Sequence, residues 1–412
     1  MNKLKNELKI DKTTYIWTFI VVYLMDSLLF ATNSSTIFYS LKMYGVVALA
    51  AILLFRYEFI KKQKTDIIIY FLTLNILASM ALAGGLRSGY FYYLMIACIW
   101  VAYLLSREYS IEQFSYCYCR IMRVIAIVSL IAWVFSSQIK SIGILPVITN
   151  TVGVRYKFLF FTCVPESMAL ANRNMGPFWE PGAYQMFLNL ALFFTLFVEK
   201  HKLRLFDCIL LIVTCISTKS GAAFLPIALI IAAYALEKKR IGSFFMVLSL
   251  GIVLYIMYNL GMFEQIFEKM GSEHSDNSIT YRWIGIETGI RAFLNNPIFG
   301  STLKKTEEIR QSLAMKYLGV RSGSNTNTFM YYFGYYGLLV GWYMISRTFK
   351  FFRKNLKSWL ATVLVFLGYF ISTCNENFMA SLVVVMLVFL QSEEVMRKKR
   401  ETEIEQSESC AN

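Results

Sequence analysis

One short stretch of the chain brings together a carboxylate, a guanidinium and several aromatic rings. It runs from Asn172 to Gln185, reads NRNMGPFWEPGAYQ and directly precedes an apolar segment. Arg173 can bind a phosphate, because its planar guanidinium donates to two phosphate oxygens at once. Glu180 can act as a general base, and Trp179 and Tyr184 can stack on a sugar face. These residue types indicate a site for a phosphate-bearing or sugar-bearing substrate.

Each of these residues also has a structural interpretation. Glu180 can pair with Arg173 or stabilise the N-terminus of the following helix through the helix dipole. The aromatic side chains can belong to the interfacial belt that is common in membrane proteins. The residues alone leave both interpretations open.

Three further basic residues stand in comparable contexts. Lys219 lies in the turn STKSG, just before an expected helix whose free N–H groups favour an anion. Arg282 and Arg291 lie in YRWIGIETGIRAFLNNPIFG, which has the pattern of an amphipathic helix. They are nine residues apart, about two and a half helical turns, so we do not expect them to point the same way. One of these two arginines can have a structural role. The basic residues of the predicted outer connections can also simply contact anionic lipid.

The elements that position these residues are expected to be membrane helices. The chain has 412 residues, of which 57% are hydrophobic and 16% charged, whereas soluble proteins carry about 25% charged residues. Its apolar residues form blocks of the length that a helix needs to cross a bilayer. The sequence therefore predicts an all-α polytopic membrane protein with a single integral domain over residues 1–412.

Twelve apolar blocks predict twelve spans. A separate amphipathic segment at the interface is predicted over residues 107–123. The spans cover about Thr14–Ala31, Ile37–Phe55, Ile67–Leu82, Tyr90–Leu105, Val124–Phe135, Gly182 to the EKHKLR sequence, Leu205–Ile216, Ala222–Leu236, Phe244–Leu260, Phe329–Ile345, Trp359–Ser372 and Phe378–Leu390.

The connections between these spans alternate in charge. Every second connection is rich in Lys and Arg, which places those connections and both termini in the cytoplasm. The two long connections, about 136–181 and 261–324, then lie on the outer face, and residues 391–412 form a cytoplasmic tail. This topology explains most of the formal charge of +15, so no nucleic-acid partner is predicted.

Cysteine and histidine usage predicts no metal site. The eight cysteines show neither a disulfide framework nor paired zinc-ligand spacing. The only histidines are His201 and His274, which effectively excludes a multi-histidine site. His274 lies in the polar run SEHSDNS and is interpreted as a loop residue.

Four segments resemble motifs of the O-antigen polymerase and O-antigen ligase superfamily of bacterial membrane glycosyltransferases. NRNMGPFWEPGAYQMFLNLAL resembles its Arg-x-x-Gly-x-Phe-x-x-Pro helix start. STKSGAAF resembles a Ser-Arg-Gly-Ala turn, although Lys219 precedes Ser220 and the usual Arg is missing. YRWIGIETGIRAFLNNPIFG is similar to an Arg, Trp and Pro-x-x-Gly pattern. SNTNTFMYYFGYYGLLVGWYM resembles a His-Asn-Thr and Gly-x-x-Gly segment, with Thr326 where many members have His.

The resemblance implies a GT-C-like fold and a glycosyl transfer without metal or other cofactor. The implied donor is a glycan on undecaprenyl diphosphate in the bacterial cytoplasmic (inner) membrane, and the implied acceptor is a sugar hydroxyl on a second glycan. Membrane lipids, a flippase and a chain-length regulator are further candidate partners. The expected catalytic residues are Glu180, Arg173 and Arg282. The expected substrate-binding residues are Lys219, Arg291, Trp179, Tyr184, Asn325 and Asn327.

Three functions remain open at this point. Thr326 in place of His favours a polymerase of O-antigen, capsule or exopolysaccharide units. A ligase that moves a glycan to a lipid or protein acceptor is the alternative. A flippase or transporter of lipid-linked glycans is less favoured, because it needs charges along a path through its spans. The candidates for such charges, Asp26, Lys42 and Asp207, are interpreted as isolated or close to span ends.

Overall fold

The computed structural model describes residues 10–32, 35–60, 65–82, 89–151, 153–167, 173–199, 205–238, 251, 277–319, 326–374, 376–392 and 395–396. Most of these residues are helical. The helices are α1 Lys12–Asp26, α2 Leu28–Ala31, α3 Thr36–Phe55, α4 Ile67–Leu82, α5 Tyr90–Glu108, α6 Ile111–Val134, α7 Ser136–Ser141, α8 Pro181–Phe193, α9 Leu205–Ser217, α10 Gly221–Lys238, α11 Asn277–Asn295, α12 Leu303–Leu318, α13 Thr328–Asn355, α14 Trp359–Thr373 and α15 Leu382–Phe389.

The helices have the length and composition of a polytopic membrane protein. Within the described residues, four helical stretches are long and apolar enough to cross a bilayer, and they cover Ser40–Glu58, Phe91–Glu108, Ile111–Val134 and Pro181–Val198. Three shorter helices, α4, α9 and α14, are also apolar. The total of twelve spans stays a prediction, and the predicted ninth span lies outside the described residues.

Two helices form the centre of the bundle. Every described side chain of α15, and every one of α8 except at Gly182, is buried. A helix that is apolar on all sides is stable only when neighbours surround it. α8 packs against α6, α9, α10 and α14. The stretch that begins at Arg173 therefore leads directly into the most enclosed helix of the protein.

The ends of the helices fall into two groups. At one end of the bundle, which we call the upper end, five of the described helices finish and six begin. The helices that finish there are α1, α4, α6, α9 and α14. The helices that begin there are α3, α5, α8, α10, α13 and α15. A β-bridge between Ser27 and Phe178 and a backbone hydrogen bond from Asn174 N to Ser217 O of 3.0 Å join loops there. The described parts of the first two motifs lie at this end, as does the start of the fourth motif at Thr328.

Several charged side chains within the helices have charged or polar partners, at both ends of the bundle. Arg123 forms an ion pair with Asp207, and Arg107 Nε donates to Tyr57 Oη at 2.9 Å. In α1 and α3, Asp26 and Lys42 lie near enough to attract each other. Asp26 is the last residue of α1 and Asp207 lies in the first turn of α9, so both are close to helix ends. Asp26, Lys42 and Asp207 are not isolated charges, because each has a charged neighbour.

The N-terminal half of α6 differs from its prediction as an interfacial segment. Residues 111–134 form one continuous helix, which begins with a capping box in which Ser110 and Gln113 satisfy each other's backbone N–H groups. Tyr118 is fully buried and donates to Phe187 O at 3.0 Å. Because this half packs against α8, it belongs to the bundle and not to the surface.

A small sheet in the first long connection departs from the all-α prediction. Strands β1 Val147–Thr149, β2 Arg155–Phe158 and β3 Cys163–Pro165 pair antiparallel in the order β1-β2-β3. Strands of three or four residues are too short to show a clear alternation. In the sheet, Glu166 pairs with Arg155 at 3.2 Å and approaches Lys157 at 3.9 Å.

The Pro-x-x-Gly segment after α11 interlocks with α13. At Gly337, α13 leaves helical geometry with φ 75° and ψ −166°. Leu338 N donates to Pro297 O at 2.8 Å, and Ser301 N donates to Gly334 O at 2.7 Å. The kink therefore exists because residues 297–301 insert beside it and take over its backbone hydrogen bonds.

We expect Gly337→Ala to destabilise the protein. A Cβ there would lie 2.1 Å from Ile298 O, and a positive φ alone costs an L-residue about 1–3 kcal/mol. Gly45→Ala is the matched control, because a Cβ at Gly45 meets nothing within 4 Å. Thermal unfolding in detergent should show a clear loss of apparent Tm for Gly337→Ala alone. Equal Tm values for the two variants would contradict this packing.

Candidate functional site

Residues 173–178 form a tight turn at the upper end. Asn174 organises it: its Oδ1 accepts from Gly176 N at 3.0 Å, and its Nδ2 donates to Ser217 Oγ at 2.9 Å. Gly176 adopts φ 54° and lies so close to Tyr184 that a Cβ would come within 2.9 Å of the ring. The turn is therefore clamped between α9 and α8 before it reaches Trp179 and Glu180.

Tyr184 does not fit its predicted role in sugar binding. Its side chain is fully buried, its ring stacks on Phe178 at 5.4 Å between centroids, and its hydroxyl shares a hydrogen bond of 2.9 Å with Ser129 Oγ. A buried ring presents no face to a substrate. Tyr184 supports the turn from beneath.

Trp179 contacts Glu376, which was not among the predicted site residues. Its Nε1 donates to Glu376 Oε2 at 3.2 Å, and its ring packs against Phe378 with centroids 5.5 Å apart. Glu376 lies in the short connection between α14 and α15. The loop before α8 and the loop before α15 are thus joined by this hydrogen bond.

Glu180 and Glu376 form a carboxyl pair. Glu180 is exposed and is the N-cap residue of α8, but its side chain makes no capping hydrogen bond. It instead hydrogen-bonds Glu376. Burial and the neighbouring Glu180 carboxyl raise the pKa of Glu376 well above its usual range. This shift favours the protonated form of Glu376, whose proton can form the hydrogen bond between the two carboxyl groups.

Arg282 is the cation beside this pair. It lies half-buried in the first turns of α11. The charge of Arg282 acts on Glu376 and on Cys374 and opposes the upward pKa shift of both side chains. A cation next to an exposed carboxylate can bind the anionic leaving group of a reaction while the carboxylate accepts a proton.

Close packing of α11 against α13 fixes the position of Arg282. A Cβ at Gly285 would lie 2.6 Å from Thr326 O, and one at Gly289 would lie 2.6 Å from Met330 Cβ. Thr326 Oγ1 also donates to Tyr281 O at 3.2 Å. The Thr326 hydroxyl therefore anchors the residue before Arg282 and serves as a structural contact.

The Asn-Thr pair at the start of α13 positions Glu376. Thr328 Oγ1 donates to Glu376 O at 3.2 Å and accepts from Phe378 N at 3.0 Å. Asn327 is fully buried, accepts from Met330 N at 3.1 Å and donates to Cys374 Sγ at 3.4 Å. Asn327 was expected to bind substrate, but burial and these partners leave its side chain no exposed face. Asn325 lies outside the described residues.

Arg173 and Lys219 lie close together and form a second basic site at the upper end. Arg173 Nε donates to Thr218 O at 3.1 Å, directly beside Lys219. Lys219 is exposed and has φ 47°, a left-handed conformation that turns the chain into α10. The hydrogen bond from Arg173 to Thr218 thus joins the segment around Arg173 to the STKSG turn.

Arg291 lies apart from the carboxyl pair. Its guanidinium bonds Glu287 at 2.6 Å on the exposed side of α11, and Tyr317 of α12 donates to the same carboxylate at 3.0 Å. The contact ties α11 to α12. Of the two arginines in this helix, Arg282 faces the acids and Arg291 makes a surface ion pair.

The sequence carries a signal for Glu376, which was not among the predicted site residues. The TCNENF sequence places an acid two residues before Phe378, at the start of a span, much as Glu180 precedes Pro181 and α8. The short connection that carries Glu376 has no basic residue and none of the four superfamily-like motifs. Only the fold shows that the two acids meet.

A family model described as O-antigen ligase matches residues 207–341. The match confirms the resemblance to the O-antigen polymerase and ligase superfamily, and it includes Lys219, Arg282 and the start of α13. The Asn172–Gln185 stretch and Glu376 lie outside the matched residues. No curated protein and no solved structure matches the chain.

We expect Glu376→Gln to weaken the pH dependence of thermal stability. Because the folded protein raises the pKa of Glu376, it keeps a proton that the unfolded chain releases above about pH 4.3. The stability from this proton is complete below that pH. It falls as pH rises toward the folded pKa, by up to about 1.4 kcal/mol per pH unit.

Apparent Tm in detergent at about pH 5 and about pH 8 tests this linkage. The wild type should lose more Tm over this range than Glu376→Gln, whose amide does not titrate. Glu308→Gln is the control, since Glu308 is exposed and only 3.7 Å from Lys305 in a surface pair. Parallel slopes for the wild type and Glu376→Gln would refute a proton held by the carboxyl pair.

Proposed function

We propose that the chain is a polysaccharide polymerase that joins lipid-linked oligosaccharide units on the outer face of the bacterial cytoplasmic membrane. The observation that carries the proposal is the Glu180–Glu376 carboxyl pair beside Arg282, at the end of the bundle where the four superfamily-like motifs meet. A base next to a cation suits an attack by a hydroxyl and the departure of an anion.

The proposed step transfers a glycan from undecaprenyl diphosphate to a sugar hydroxyl. The hydroxyl oxygen of the acceptor attacks the anomeric carbon of the donor and forms the new glycosidic bond. The bond from that carbon to the diphosphate oxygen breaks, and its electron pair leaves with the diphosphate. The acceptor proton passes to the Glu180 carboxylate. Glu376 stabilises that carboxylate beforehand by donating its hydrogen bond.

Arg282 is proposed to bind the departing diphosphate, so that no metal ion is needed. The guanidinium is always charged and can hold two phosphate oxygens at once. Arg173 and Lys219 are proposed to hold the donor's diphosphate or its first sugar from the turn between α9 and α10. Trp179 lies between these groups and the acids, and its indole can contact the transferred sugar.

A ligase is the second candidate, since the matching family model is described as O-antigen ligase. The position where many superfamily members have His holds Thr326, which is buried and hydrogen-bonded to Tyr281 O. A carboxylate base supplied by Glu180 replaces that His in our proposal, and this difference favours the polymerase.

Cells that lack the chain should separate the two candidates. A missing polymerase leaves single oligosaccharide units on the lipid carrier, because no units are joined. A missing ligase leaves long glycan on the carrier, because it is joined but not attached. Extraction of the lipid-linked glycans and mass analysis of their length measures this directly. We expect single units, and long carrier-bound glycan would overturn the polymerase assignment.

Arg282→Ala should abolish long glycan in cells that carry only the variant. Loss of one group that stabilises transition-state charge lowers a rate by about 10²–10³-fold. Arg291→Ala is the matched control in the same helix, because it removes an exposed ion pair with Glu287 and should leave polymer length unchanged. Glycan ladders, with immunoblots for equal membrane levels, measure the result. Wild-type ladders from Arg282→Ala cells would contradict the proposed diphosphate site.

A further inference from the structure

One side of α11 presents apolar side chains that no other described element covers. Trp283, Ile290 and Leu294 follow one another at intervals of seven and four residues, which places them on the same side of a helix. Their exposed fractions are 55%, 44% and 66%. Ile298, in the turn after the helix, is 65% exposed. These four residues form an exposed apolar surface, which we call the α11 stripe.

The other sides of α11 are packed against its neighbours. Ile284 is buried together with Leu313 of α12. Gly285 and Gly289 lie against residues 326–330, where a Cβ on either glycine would meet an atom at 2.6 Å. The α11 stripe is thus the side of this helix that the described fold leaves open.

A sharp bend in α13 determines where α11 lies. The rings of Phe366 and Tyr369 in α14 lie 6.3 and 6.1 Å from the ring of Phe329. The same two rings lie 6.4 and 5.3 Å from the ring of Phe352. Phe329 and Phe352 are 23 residues apart, which is about 35 Å along a straight helix. The two halves of α13 therefore fold back on each other at the Gly337 kink.

The first half of α13 crosses the upper end of the bundle. At its start, Thr328 Oγ1 donates to Thr373 O, at the end of α14, at 3.2 Å. Near the kink, Tyr335 and Tyr336 contact Phe91 in the first turn of α5, with ring centroids 5.5 and 6.1 Å apart. Because α5 is long and apolar enough to cross a bilayer, its first turn lies near the membrane surface. α11 runs alongside this half of α13 and therefore lies at the same level.

The turn after α11 connects the stripe to the side of the bundle. Ser79 Oγ, in the last turn of α4, donates to Phe299 O at 2.6 Å. Ile298 lies directly against the kink in α13. Just beyond the kink, Leu338 and Trp342 of α13 are exposed as well. The α11 stripe therefore continues into an apolar surface on the second half of α13, where the tenth span is predicted.

The residue types around the stripe match a bilayer surface. Helices that lie in this surface combine an apolar side with Lys and Arg residues, and Trp is enriched at the same depth. Trp283 is part of the stripe, and Arg291 flanks it. Lys304 and Lys305 are exposed in the first turn of α12. These cations beside an apolar surface complement anionic phospholipid headgroups above acyl chains.

We propose that α11 lies in the bilayer surface at the upper end, with the α11 stripe against lipid acyl chains. The basic residues around the stripe lie at the headgroups. α11 also carries Arg282, so the lipid contact holds the helix that positions this cation. The inference does not depend on the transferase proposal, because it rests on packing, exposure and charge alone.

Spin labels on introduced cysteines test this placement for the full chain in lipid nanodiscs. Ile290→Cys and Leu294→Cys place a label on the α11 stripe. Ser312→Cys is the matched control, because Ser312 is exposed on α12. Power saturation compares how often each label collides with oxygen, which concentrates among acyl chains, and with a water-soluble nickel chelate. Wild-type protein treated in the same way supplies the background from the native thiols.

The labels at positions 290 and 294 should collide with oxygen more than with the nickel chelate, and the label at position 312 should show the reverse. Equal nickel access at positions 294 and 312 would overturn the proposal, because the stripe would then lie in water. Low access of both reagents to positions 290 and 294 would also overturn it, because a protein, such as a second copy of the chain, would then cover the stripe. Neither result would affect the transferase proposal, which is tested by the glycan made in cells.

Discussion

The contact between the Glu180 and Glu376 carboxyls constrains the whole upper end of the bundle. Two carboxyl groups can hydrogen-bond only if one holds a proton, so the loops that carry them must be held together by other contacts. The Trp179 hydrogen bond to Glu376 and the two hydrogen bonds of Thr328 to the Glu376 loop supply them. Behind Glu180, α8 is buried along its length, which leaves the acid little freedom to move.

The surroundings of this contact divide the upper end into chemically different sides. Arg282 lies where a departing anion would be stabilised, and Arg173 and Lys219 extend that basic character around the start of α10. In α1 and α3, Asp26 and Lys42 attract each other. In the proposed glycosyl transfer, the leaving diphosphate is strongly charged whereas the attacking sugar hydroxyl is neutral.

Sequence patterns predicted the helices better than the site. α4 has the predicted bounds Ile67–Leu82, and α9 and α14 each extend one residue beyond theirs, because apolar blocks bounded by polar residues determine where such helices begin and end. The sequence also grouped Arg173, Lys219 and Arg282 at one end through charge alternation. The burial of Tyr184 and Asn327 was not predicted, since a motif does not show whether a residue faces a ligand or the core. Glu376 was missed because its partner is 196 residues away along the chain.

The most direct test of the carboxyl pair is the rate at which purified protein releases undecaprenyl diphosphate from the lipid-linked repeat unit. Glu180→Gln keeps the shape of the side chain and can still accept a hydrogen bond from Glu376, but it cannot take up a proton. Removal of a general base lowers a rate by about 10²–10⁴-fold. We predict a loss of that size with unchanged donor binding. Release by Glu180→Gln at the wild-type rate would contradict the account.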